Sequence, residues 1–234
     1  MTCLHFKEFL SYGARRARGK ALAAFLLLAA PLVAPAAATA EEVTLLALGD
    51  SLTQGYGLTR EQGLVPQLEE WLHARGHQVE VINAGVSGDT TAGGAARVGW
   101  SLTDEVDAMI VTLGGNDLLR GIAPEVAREN LSRILEVAGD RAVEVLLVGM
   151  PAPGNYGPDY KAAFEAIYPE LAQMHGTLYF ENFFEGLGTW DPGQAGQYFQ
   201  PDGIHPNAKG VRRIVEALGP AVVELIATAQ GKSQ

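Results

Sequence analysis

The chain has 234 residues, 47% of them hydrophobic, which is enough for one sizeable core and one domain. Its formal net charge is −10, and residues 41–234 alone hold 12 basic and 26 acidic side chains, a formal −14. Such a surface repels nucleic acid and anionic membranes, and it favours solubility without naming a substrate. The one cysteine is Cys3, so the chain beyond residue 40 has no disulfide, no thiol chemistry and no Cys-ligated zinc or iron–sulfur site.

Residues 1–40 read as a secretory signal peptide. Lys7, Arg15, Arg16, Arg18 and Lys20 form a basic n-region, Ala21 to Val33 is apolar, and Ala38-Thr39-Ala40 has the small-x-small form of a cleavage site. The Arg15-Arg16 pair leaves the export route open between the general and the twin-arginine pathway. A retained membrane anchor is the alternative, but Pro31 and Pro35 interrupt a stretch shorter than the ~20 apolar residues a span prefers.

Residues 41–234 then read as a single domain. Val43 to Leu48 predicts a buried strand ending at Gly49-Asp50. Val65, Leu68, Trp71 and Leu72 share one helical face, which Gly76 closes. Val79 to Ile82 and Ala108 to Leu113 predict the second and third strands. Pro124 suits a first helical turn, and Leu131, Ile134, Leu135 and Ala138 share a face up to Gly139, the expected stop. Val143 to Val148 predicts a fourth strand. A helical stretch begins at Pro158 or Asp159 and passes Phe164, Ile167 and Leu171, with Pro169 disturbing its course. Thr177 to Phe180 predicts a fifth strand, and Ile214, Val215, Leu218, Val222, Leu225 and Ile226 form a C-terminal helical stripe with a kink expected at Gly219-Pro220. No repeat or linker follows residue 40.

Strands alternating with helices imply an α/β fold with a mainly parallel five-stranded sheet covered on both faces. Right-handed crossovers place the strand C-terminal ends along one edge, where such sheets bind ligands. Ser51, Gly88 and Asn116 fall just past the first three strands.

Four short segments carry chemistry. Ser51, after Gly49-Asp50, sits at a strand-to-loop junction where a hydroxyl can protrude while its backbone N–H stays available; helix capping is the competing use of such a serine. Of the four histidines after residue 40, His73, His77 and His175 lie at helix ends, where surface or dipole roles suffice. His205 has a carboxylate, Asp202, three residues upstream in a turn-prone segment, a spacing that lets the acid hold the imidazole. Asn116 follows Gly114-Gly115, so backbone can approach a ligand while the amide donates to a developing oxyanion. Gly88 offers a backbone N–H for the same purpose, with Gly85 as a competitor, and the Ser51 N–H is a third donor. Asp89 and Asp117 lie in turns and read as structural rather than as metal ligands. The nucleophile elbow G-x-S-x-G, the P-loop and G-x-G-x-x-G are all absent.

Taken in order, Gly49-Asp50-Ser51-Leu52, Gly88-Asp89, Gly114-Gly115-Asn116-Asp117 and Asp202-Gly203-Ile204-His205 resemble the four blocks of the SGNH (GDSL) hydrolases over nearly all of residues 43–226. The resemblance implies a flavodoxin-like three-layer α/β/α fold, with Ser51 as nucleophile, Asp202 and His205 as acid and base, and Ser51, Gly88 and Asn116 as the oxyanion hole. Within the family the chain looks most like the bacterial exported thioesterase/lysophospholipase/arylesterase enzymes. The features shared with them include Gly-Asp-Ser-Leu-Thr-Gln-Gly-Tyr at 49–56, Asn155-Tyr156-Gly157 and Ala166-Ile167-Tyr168-Pro169. In such relatives the loop after strand four borders the acyl pocket, which makes Met150, Asn155 and Tyr156 candidate substrate contacts; an ordinary proline-rich surface loop is the alternative. The expected partner is a small-molecule or lipid ester, with no metal, no cofactor, no nucleic acid and no membrane span after residue 40. A carbohydrate acetylesterase would use the same fold and triad. A non-catalytic binding module is the rival from another class, disfavoured because no member of the triad is missing.

Overall fold

The computed structural model describes residues 42–188 and 196–232. The segment read as a signal peptide lies outside the described residues. Five parallel strands, β1 (Val43–Gly49), β2 (Val79–Gly85), β3 (Ala108–Thr112), β4 (Glu144–Val148) and β5 (Leu178–Phe180), form one sheet in the order β2-β1-β3-β4-β5. This is the flavodoxin-like arrangement. The central strands read as unbroken apolar runs because both of their faces are covered: all five residues of β3 are buried.

On one face lie α2 (Leu64–His73) and the long C-terminal helix α8 (Ala208–Lys232). On the other lie α3 (Thr91–Ser101), α5 (Pro124–Asp140) and α7 (Ile167–His175). Two short helices, α1 (Ser51–Gln54) and α4 (Gly115–Leu119), start directly after β1 and β3, and α6 (Pro158–Glu165) precedes α7. Helix α8 is long and apolar enough to meet the composition of a membrane span. Its stripe of Ile214, Val215, Leu218, Val222, Leu225 and Ile226 is nevertheless buried in the domain core.

Several boundaries differ from expectation for identifiable reasons. Strand β2 runs three residues past Ile82, because its pairing with β1 continues to Gly49↔Gly85. Gly139 does not stop α5. The chain turns at Ala142, in the left-handed region at φ 57°, where Ala142 N–H donates to Gly139 O and Val143 N–H to Ala138 O in a Schellman-type closure. The stretch from Pro158 is two helices, α6 and α7, with Pro169 in the first turn of α7, where an amide donor is not needed. The C-terminal helix is continuous through Pro220.

Register sets the height of the site. Gly49 pairs with Gly85 on one side and Thr112 on the other, so the loops after β1, β2 and β3 leave the sheet at one level. The helices leaving β1 and β3 open the crevice where strand order reverses, the usual ligand position in such sheets.

Candidate active site

Ser51 is the first residue of α1. Asp50 caps that helix, its Oδ1 accepting from Leu52 N–H at 3.0 Å. Gly49 makes the fold-back possible, since a Cβ there would lie 2.0 Å from Thr53 Oγ1 and 2.3 Å from Thr112 Oγ1. The chain therefore turns sharply from strand to helix with the serine at the apex.

His205 reaches Ser51 from 154 residues away. Its Nε2 lies 2.8 Å from Ser51 Oγ, and its Nδ1 lies 2.7 Å from Asp202 Oδ2. The other oxygen, Asp202 Oδ1, accepts from Ile204 N–H at 2.9 Å and His205 N–H at 3.0 Å. Partial burial pushes the Asp202 carboxyl upward. The two backbone donors and the His205 ring outweigh it and bring the pKa down to about 2. Asp202 is thus an ionised acceptor, which requires the proton on Nδ1 and leaves Nε2 free to accept from the Ser51 hydroxyl. The loop is stapled at both ends. Gln200 Nε2 donates to Tyr56 O at 2.8 Å and to Pro206 O at 3.0 Å, and Phe199 bridges Pro206 in an antiparallel step.

Asn116 lies in α4, across the crevice from Ser51. Its Nδ2 donates to Asp50 Oδ2 at 3.2 Å, so one amide hydrogen is held and the other is available. Sequence reasoning passed over Asp50, a carboxylate only 2% exposed between the nucleophile and the asparagine. The signal in sequence was an acidic residue directly after an apolar strand. Burial raises its pKa from 3.8 to about 6, against the pull of Leu52 N–H and Asn116.

The loop after β2 presents Gly88 at φ 81°, the left-handed region that favours glycine. Asp89 N–H closes the turn onto Val86 O at 3.0 Å, and Arg120 donates to Gly88 O at 2.7 Å. Among the described residues no protein acceptor takes the N–H of Gly88 or of Ser51. The competitor Gly85 is occupied, its N–H donating to Asn83 Oδ1 at 2.9 Å.

These groups open into a cavity of about 410 Å³ lined by Ser51, Gly88, Asn116 and His205. Its walls are mainly apolar: Leu52, Tyr56, Leu118, Phe184, Phe199 and Ile204. The structure places Met150, Asn155 and Tyr156 in the same wall, and Tyr56 lies against the His205 ring at a centroid distance of 4.7 Å. The loop carrying them is anchored rather than loose, because Glu165 accepts from Ala152 N–H at 3.1 Å while Lys161 donates to Ala152 O at 2.8 Å.

The remaining histidines lie away from this cavity. His73 bonds Val79 O at 2.8 Å and His175 bonds Ser132 Oγ at 3.1 Å. Asp117 is buried and accepts from Thr91 N–H and Oγ1 at 2.9 and 2.7 Å; Asp89 pairs with Arg97 at 2.7 Å. Both carboxylates are committed to holding α3. Among the described residues no three His, Cys, Asp or Glu side chains gather as a metal site.

The Asp50 environment has a stability consequence. Below about pH 4 the folded and unfolded chains are both protonated there. As pH rises towards about 6 the unfolded chain gives up its proton first, so stability is lost, levelling at about 3 kcal/mol above pH 6. Asp50→Asn has no charge to desolvate. Relative to the natural chain it should gain stability between pH 4 and pH 7, read from urea midpoints at the two values. A difference independent of pH would mean that Asp50 is solvated when charged.

Comparison with known proteins places the chain in a family. Residues 47–213 match the GDSL-like lipase/acylhydrolase family. The chain is 40% identical over 184 residues to "Esterase TesA" of Pseudomonas aeruginosa, covering 78% of this chain and 89% of that one. It is 37% identical over 165 residues to "Thioesterase 1/protease 1/lysophospholipase L1" of Escherichia coli strain K12, covering 70% and 76%. The crystal structure of TesA superposes with a TM-score of 0.72 at 38% identity, covering 78% of this chain and 99% of that one. A match spanning most of the domain, on a sheet whose loops bring Ser51, Gly88, Asn116 and His205 to one cavity, means that the chain belongs to the GDSL-like lipase/acylhydrolase family.

Proposed function

We propose that the chain is a serine ester hydrolase that works through an acyl-enzyme formed on Ser51. The observation that carries this is the continuous chain Ser51 Oγ, His205 Nε2, His205 Nδ1, Asp202 Oδ2, with links of 2.8 and 2.7 Å. His205 takes the Ser51 proton as the oxygen attacks the carbonyl carbon. Asp202 stabilises the imidazolium that forms. The tetrahedral oxyanion accepts from the Ser51 and Gly88 N–H groups and the free Asn116 amide hydrogen. His205 then returns its proton to the leaving alcohol or thiol. A water, deprotonated by the same imidazole, attacks the acyl carbon; the Ser51 Oγ–acyl bond then breaks, the imidazolium proton returns to Ser51 Oγ and the acid leaves.

The mainly apolar cavity, with Met150 and Tyr156 in its wall, supports an acyl or aryl group as the bound part. This favours simple esters, acyl thioesters and lysophospholipids over acetylated sugars, whose hydroxyls would meet few polar partners. Each methylene buried there contributes about 0.8 kcal/mol, up to about fourfold in kcat/KM, until the cavity is full. Across p-nitrophenyl and acyl-thioester series, kcat/KM should climb from acetyl through medium chains and then level. A maximum at acetyl, with faster turnover of acetylated sugars, would move the reading to a carbohydrate esterase.

The basic n-region, apolar stretch and Ala38-Thr39-Ala40 support export to the periplasm or medium, with residues 1–40 removed. Protein recovered from a secreting host should begin at Glu41. An intact terminus on active cytoplasmic protein would refute export.

A further inference from the structure

Arg97 is buried deep in α3, only 8% exposed, and lies outside the cavity lining. A cation in that position needs partners, and it has three. Nε donates to Asp89 Oδ2 at 2.7 Å, Nη1 to Ala84 O at 2.7 Å and Nη2 to Gly49 O at 2.8 Å. Gly49 lies two residues before Ser51 at the end of β1. Ala84 lies at the end of β2, and Asp89 follows Gly88 directly. The same Gly49 carbonyl also accepts from Val86 N–H at 3.0 Å, and Val86 O receives Asp89 N–H at 3.0 Å. One planar guanidinium therefore ties together the two backbone segments that bear the Ser51 and Gly88 N–H groups.

Local structure alone does not fix those groups relative to each other. Ser51 belongs to α1 and Gly88 to a four-residue turn on the neighbouring strand. The turn is held by its own closure, by Val86 N–H on Gly49 O, by Ser87 Oγ donating to Gln54 Oε1 at 3.0 Å and by Arg120 on Gly88 O. Among the described residues Arg97 adds the one charged group that grips both segments at once, through Gly49 O, Ala84 O and Asp89. Two donors aimed at one oxygen must share a frame, because hydrogen-bond energy falls steeply with angle.

We propose that Arg97 is a positioning residue for the oxyanion site, its three-way clamp on Gly49, Ala84 and Asp89 setting the Ser51 and Gly88 N–H groups to meet one carbonyl oxygen. This rests on reading those N–H groups as oxyanion donors. Lysine cannot replace it, since an ammonium is a point charge without the flat fork that reaches three acceptors.

The test compares a p-nitrophenyl ester with its thionoester, in which sulfur replaces the carbonyl oxygen. Sulfur is larger and accepts hydrogen bonds weakly, so an aligned oxyanion site prefers the oxoester. Arg97→Lys should lower kcat on the oxoester by about 10–100-fold with KM within about threefold, as expected when an interaction made in the transition state is weakened. The oxoester-to-thionoester ratio should fall by a similar factor. A merely structural role would reduce the folded fraction, lower both rates together and leave the ratio unchanged. Arg141→Lys is the matched control, because Arg141 also grips carbonyls on the end of α3, those of Gly99 and Leu102, far from the site. Its ratio should stay at the natural value. If Arg97→Lys does not fold, Asp89→Ala reads the same clamp by freeing the Gly88 turn from it, with a smaller fall in the ratio. A ratio preserved in the variants that fold would overturn the inference alone. A natural protein that shows no preference for oxygen over sulfur would overturn the oxyanion reading itself, and the Arg97 role with it.

Discussion

Replacing His205 by alanine should lower kcat by about 10⁴–10⁶, the range seen when a triad base is removed. Without the imidazole the Ser51 hydroxyl keeps its proton, and the leaving group departs unprotonated. KM should move far less, because the cavity walls that hold the acyl group are unchanged. The residual rate would come from the oxyanion donors and from binding. His73→Ala, His77→Ala and His175→Ala should each keep most of the natural kcat. His73 gives up a bond to Val79 O and His175 a bond to Ser132 Oγ, which are costs to stability of about 1 kcal/mol and not to turnover. The contrast is sharp because Asp202, with its pKa near 2, stays ionised at every pH where the domain would be assayed. Acid loss of activity therefore cannot arise from protonation of Asp202. A large kcat loss at any other histidine would mean that the base lies elsewhere.

The strands and the site were legible in the sequence for different reasons. Runs such as Ala108 to Leu113, apolar except for Thr112, announce a strand buried on both faces, and the pattern survives folding because it is the cause of the fold. The site was legible because its donors sit at strand ends, where the parallel topology must bring them together. Helix α3 was not. Gly93, Gly94 and Gly99 lower its helix propensity, and its stability comes from tertiary support that no local window contains. Gly94 packs against Leu113 and Ile134, and Asp117 holds its first residue, Thr91. Asp50 and Arg97 were missed for the same reason. Each is an ionisable residue with a partner in a distant segment, Asn116 for Asp50 and Gly49 for Arg97, so its burial cannot be read from neighbours in sequence. Gly139 misled in the opposite way: a residue able to end a helix stands within one, while Ala142 takes the strained position three residues later.

Asn116→Ala separates binding from chemistry. If the free amide hydrogen of Asn116 meets the substrate oxygen only as charge develops, its contribution belongs to the transition state. The substitution should then lower kcat by roughly 10²–10³, or about 3–4 kcal/mol, with KM nearly unchanged. The structure adds a second expected effect. Asn116 also donates to the buried Asp50 at 3.2 Å, so its removal takes away one of the two donors that stabilise that carboxylate. The Asp50 pKa should rise further, and the thermal midpoint should drop at pH 8, where Asp50 is charged, by more than at pH 4, where it is neutral. The two effects are separable because kcat is measured well below the midpoint, where almost all of the variant is folded. A lost kcat with a pH-dependent midpoint would assign both roles to Asn116. A normal kcat with the same midpoint shift would leave Asn116 as a support for Asp50 and assign the oxyanion to the Ser51 and Gly88 N–H groups alone.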